Sequence, residues 1–153
     1  MTCPLTRPTL FVVAALMAGA AWSGDAPVVS DAWARATPPG VDVGAAYMVI
    51  EGGSTADRLL EAGSDRAAMV HLHTVEETGG VAKMRAIDGI EIPAGRRVEL
   101  APKSTHVMLM GLDGPLVAGQ TFPLTLRFAE SATQTITVVV KPATTAATDP
   151  QPH

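Results

Sequence analysis

Between Val28 and Lys141 the chain is a succession of short stretches rich in β-forming residues, each cut off by Gly, Pro or Asp, and no stretch there has a helical period. That punctuation limits the fold more than any other feature. It predicts strands over 28–35, 44–51, 57–62, 66–75, 81–87, 96–100, 105–111, 122–129 and 134–141, with Trp33 as a core aromatic. Segment 122–129 alternates well between apolar and polar residues. The Pro- and Gly-containing stretch between 87 and 96 reads as a connection. Turn signals at this spacing imply an all-β domain, an antiparallel β-sandwich with Greek-key connections.

The ends of the chain read differently. Arg7 is the only charged side chain before Asp25, and the apolar run Leu10-Phe11-Val12-Val13-Ala14-Ala15-Leu16-Met17 follows it. The small residues Ala18-Gly19-Ala20-Ala21 come next. This is the layout of a secretory signal peptide over 1–21, with cleavage between 20 and 26. The run is short of the roughly 20 residues that span a bilayer. The β domain then covers 27–141, and 142–153 has no apolar pattern and reads as a flexible tail. Cleavage would remove Cys3, the only cysteine. The mature chain, about 125 residues and long enough for one core, would then have no thiol for a disulfide, a thiolate metal site or a cysteine nucleophile. Such a chain is expected in the periplasm.

Composition excludes some partners. Eleven Lys and Arg face fifteen Asp and Glu, a net charge of −4, and no basic run is interleaved with aromatics. Nucleic-acid binding has no support. Ser and His show no pairing and no Gly-x-Ser-x-Gly motif occurs, so no catalytic residues are assigned and a hydrolase has no support.

His73, Met84, His106 and Met108 remain. In His106-Val107-Met108 and in His71-Leu72-His73, residues two apart share a strand face, about 7 Å apart along it. Thioether sulfur is neutral and polarisable and suits a soft monovalent ion; imidazole adds a firmer neutral donor. Each piece has a bland alternative. Methionine is a common core filler, and His71 and His73 fit a polar edge face. Met84, between Lys83 and Arg85, is an odd core residue. Residue pattern alone leaves a soft-metal site and incidental residues on a structural or adhesive Ig-like module both open.

A resemblance narrows this. Ten residues lie between His73 and Met84, twenty-one between Met84 and His106, and one between His106 and Met108. With Ala32-Trp33-Ala34-Arg35-Ala36-Thr37-Pro38-Pro39-Gly40, Gly44-Ala45-Ala46-Tyr47, Lys83-Met84-Arg85 and His106-Val107-Met108-Leu109-Met110-Gly111-Leu112, that spacing resembles the periplasmic copper chaperones of PCuAC type, which serve assembly of the CuA centre of cytochrome oxidase. The resemblance runs from about Val28 to Lys141. It implies a cupredoxin-like sandwich that holds Cu(I) through His73, Met84, His106 and Met108 and is not an enzyme. It also implies a monomer that exchanges copper with the CuA domain of oxidase subunit II or a thiol-containing Sco-type assembly factor. His71 stands where the family often has an acidic residue. With His153 of the tail it offers a weak secondary Cu(II) site.

Overall fold

A computed structural model describes residues 25–143. The expected signal segment, the tail beyond Ala143 and His153 lie outside the described residues. Ten strands follow one another: β1 (Val28–Arg35), β2 (Val43–Glu51), β3 (Asp57–Gly63), β4 (Ala67–Thr78), β5 (Val81–Ala86), β6 (Ile90–Ile92), β7 (Arg97–Leu100), β8 (His106–Leu112), β9 (Thr121–Phe128) and β10 (Gln134–Lys141). No helix occurs among the described residues. Hydrogen bonds link the strands in the order β5-β4-β8-β2-β1-β10-β9-β3-β6, and β7 also pairs with β2. The path wraps one core, giving the all-β, cupredoxin-like sandwich that was expected. Two details differ from the sequence reading. One pair, β1 with β10, is parallel, so the sheet is mixed. And β6 occupies part of the stretch read as a connection: three residues between Gly89 and Pro93 are too few to display an alternation, yet Ile90 and Ile92 both enter the core.

The core is built by alternation. In β9, Phe122, Leu124, Leu126 and Phe128 point inward while the residues between them are exposed. In β2, Ala46, Met48 and Ile50 enter the core cluster. Tyr47 and Val43, at odd positions, therefore stand on the other face. Buried Asp57 ties two connections together: its carboxylate accepts N–H bonds from Arg58 (2.7 Å), Glu130 (2.9 Å) and Ser131 (3.1 Å). Burial alone would raise the pKa of Asp57, but hydrogen bonding from the Ser131 side chain, followed by these backbone bonds, outweighs it and holds the carboxyl below its ordinary value.

Trp33 is not a core residue. Val29 packs against the core, and so do Ala32, Ala34 and Ala36, so the inward parity changes from odd to even inside β1. The change falls at a register shift between Ser30 and Trp33, where Asp31 has φ 51°. An extra residue in one strand moves every later side chain to the opposite face. Ala34 takes the inward place, and Trp33 lies outside, its ring centroid 4.6 Å from that of Tyr47 and 5.1 Å from Lys141 Nζ.

Candidate metal centre

Three antiparallel strands, β5, β4 and β8, form a ribbon that places the candidate donors. In the β4–β8 ladder, Leu72 is opposite Val107 and Val70 opposite Leu109. Leu72, Val107 and Leu109 are buried and Val70 packs against the core. Hydrophobic burial thus fixes the register, because a slip of one residue would expose this whole set. The alternate residues must then share the other face. There His73 is opposite His106, His71 opposite Met108, and Met69 opposite Met110. On the far side of β4, Met84 is opposite Val75. Since Val75 and His73 are two residues apart on one strand, Met84 shares their face. All four predicted donors therefore lie on one face of one ribbon. Met84 is 54% exposed, which removes the core-filler reading for it.

The two imidazoles sit close together. The ring centroids of His73 and His106 are 6.0 Å apart. Two imidazoles that each hold a metal through a nitrogen about 2 Å away have ring centres roughly 5–6.5 Å apart. His106 is buried, 5% exposed, and its Nδ1 lies 2.9 Å from the carbonyl oxygen of Ser104. A carbonyl can only accept, so Nδ1 carries the proton and donates. Nε2 is left with its lone pair for a metal. His73 Nδ1 is buried and has no hydrogen-bond partner. An orphaned buried nitrogen is costly, and a bound cation is one partner that would satisfy it. Burial, then the neighbouring His106 and His71, hold the His73 pKa below the ordinary imidazole value, which keeps the ring neutral and able to ligate. A bond between the hydroxyls of Thr74 and Thr105 (3.2 Å) fastens β4 to the residue preceding His106.

Met84, His106 and Met108 also line a single cleft of about 700 Å³. His73 does not line it; it flanks His106 across the ladder. The same cleft is lined by residues that sequence reasoning left without a role: Tyr47, Arg35 and Lys103. The Tyr47 ring centroid lies 6.3 Å from that of His106. Burial pushes the Tyr47 hydroxyl above its usual pKa, against the pull of the Arg35 charge. In the sequence Tyr47 stood out only within the Gly44-Ala45-Ala46-Tyr47 stretch of the resemblance, because its parity is unreadable in the unbroken apolar run Ala45-Ala46-Tyr47-Met48-Val49-Ile50.

The donor chemistry is selective. Among the described residues, no three His, Cys, Asp or Glu side chains form a group that could hold a metal ion. A hard or borderline ion would find two imidazoles and no third such donor. An ion that accepts thioether sulfur has Met84 and Met108 on the same face to add to those imidazoles.

Comparisons with known proteins bear on the family and the fold. The sequence profile of the LpqE-like family, described as "Putative lipoprotein LpqE-like", matches residues 28–140. The "Putative lipoprotein Lxx21020" of Leifsonia xyli subsp. xyli is 40% identical over 114 residues, which cover 74% of this chain and 68% of that protein. Among solved structures, Cu(I)-bound DR1885 from Deinococcus radiodurans is similar, with a TM-score of 0.63 and 31% identity over 80% of this chain and 83% of that one. The copper-bound PCuAC domain from PmoF2 shares the fold, with a TM-score of 0.66 and 24% identity over 79% of this chain and 97% of that domain.

Proposed function

The chain belongs to the LpqE-like family, and from that premise we propose that it is an extracytoplasmic Cu(I) carrier, holding the ion through His73, Met84, His106 and Met108. The observation that carries this reading is the rung His73–His106, with Met108 and Met84 on the same face. The similarity to a domain solved with copper and to DR1885 solved with Cu(I) supports the choice of ion.

The physical logic is that of a carrier. Four neutral donors leave the complex with only the ion's own charge, and soft donors favour Cu(I) over Cu(II). The imidazoles sit on buried or half-buried rungs and form the fixed half of the site. Met84 is on the outermost strand of the ribbon, and every residue of β5 is exposed. Its thioether is the donor that can leave first. A partner presenting thiolates would then enter the vacated position and take the ion by ligand exchange, since thiolate binds Cu(I) more strongly than thioether. On this reading the exchange takes place in the periplasm, with the oxidase CuA domain or a Sco-type factor as partner. The leader pattern of residues 1–21 is then a cleavable signal peptide, and the chain is a carrier with no catalytic activity.

The test is competition with a Cu(I) chelator under anaerobic conditions, comparing the parent with His106→Ala and Met108→Leu. Each variant is expected to lose at least tenfold in affinity, about 1.4 kcal/mol. Variants that hold Cu(I) as tightly as the parent would refute the assignment.

A further inference from the structure

Two methionines on the ribbon face are largely exposed, and the carrier site uses only one of them. The other is Met69, 53% exposed and directly opposite Met110 in the β4–β8 ladder. His71 is the next residue on the same face, opposite Met108. Directly opposed side chains in an antiparallel ladder have Cβ atoms about 4.5–5.5 Å apart, and diagonal neighbours about 7–8 Å. Met69, His71 and Met110 thus bring two thioethers and one imidazole within reach of one point. Core filling does not account for the two methionines, because Val70 and Leu109 between them already take the inward places. The edge of β4 is also open at this level. Pairing with β5 ends at His73 opposite Ala86, and beyond it His71 borders a small cleft of about 230 Å³ toward β3. Glu61 lines that cleft with its Oε2 paired to Arg127.

We propose that Met69, His71 and Met110 form a second site for a soft monovalent metal ion, separate from the His73, Met84, His106 and Met108 site. It has three donors instead of four and stands more open to water, so it fills second. None of its donors belongs to the carrier set, so the two assignments stand or fall separately. His71 and His73 are one pleat repeat apart, about 7 Å, with ring centroids at 6.3 Å. An ion at the outer site is therefore one short step from the inner one.

Silver(I) is the probe: soft, monovalent, diamagnetic and inert to air oxidation. The full chain, with its methionine methyl groups labelled with carbon-13, is titrated with Ag(I) and followed by NMR. Buried Met48 serves as the internal reference. The expected result is two steps. Met84 and Met108 methyls shift with the first equivalent, and Met69 and Met110 methyls with the second. In the near-isosteric double variant Met69→Leu/Met110→Leu, the first step persists and the second equivalent is lost. Met69 and Met110 methyls that stay unmoved through two equivalents would overturn the proposal, as would movement of all four in a single step. If Met69 and Met110 respond while Met84 and Met108 do not, the second site stands and the carrier assignment falls.

Discussion

The β9–β10 hairpin and the β5–β4–β8 ribbon belong to one sheet path, yet they are built to opposite rules. In β9 every second residue is buried and the turn beyond it is tied to Asp57. In the ribbon the inward Leu72, Val107 and Leu109 are buried, His106 is the one buried residue of the outward face, and β5 is exposed along its whole length. The first region spends its apolar surface on rigidity. The second keeps two imidazoles and several thioethers out of the core, where they can reach an ion. Stability and function are thus drawn from different strands, and substitutions should separate them.

The largest expected effect lies on the rigid side. Leu126→Ala opens a cavity where the residue is fully buried and should cost about 2–5 kcal/mol in denaturant unfolding, with the Cu(I) affinity of the folded fraction unchanged. Next comes Asp57→Ala, which strands three backbone N–H groups and should cost about 1–3 kcal/mol, again without altering copper binding. The ribbon should behave in reverse. Met84→Leu should leave unfolding within about 0.5 kcal/mol of the parent while Cu(I) affinity drops at least tenfold. A Met84 variant that unfolds early but binds normally would erase the distinction between the two regions.

The smallest effect is a pH dependence of apo-protein stability. His73 is held below the ordinary imidazole pKa by burial and by His106 and His71. In the unfolded chain it takes up a proton near pH 6.5, whereas the folded ring resists until lower pH. The folded state therefore binds fewer protons in that window. The stability this group contributes is complete above about pH 6.5 and is lost as pH falls toward the depressed native value. His73→Leu should flatten that part of the unfolding profile. Protons also compete with Cu(I) at both imidazoles, so metal affinity should weaken as pH falls below neutrality.

Much of this was legible in the chain because strand parity is simple. The triplets His71-Leu72-His73 and His106-Val107-Met108 carried their two-faced geometry openly, and the apolar middle residues settled which face was inward. What the sequence did not disclose was pairing. Nothing local indicates that His73 falls opposite His106, since that register is set by burial of Leu72 and Val107 on strands well separated in the chain. Trp33 misled for a related reason. One extra residue at Asp31 reverses parity, and a bulge leaves no mark in an Ala-rich strand. Ile90–Ile92 was too short to register, and the place of Tyr47 in the cleft was hidden in a run apolar on both faces. The family resemblance carried the choice of copper, which alternation alone left open.

The central claim is that two ring nitrogens and two thioether sulfurs converge on one Cu(I). X-ray absorption at the copper edge, on protein loaded anaerobically with a single equivalent, counts those neighbours directly. Two nitrogen and two sulfur scatterers are expected, falling to one sulfur in Met84→Leu or Met108→Leu. A first shell without sulfur, or one that neither substitution alters, would contradict the account.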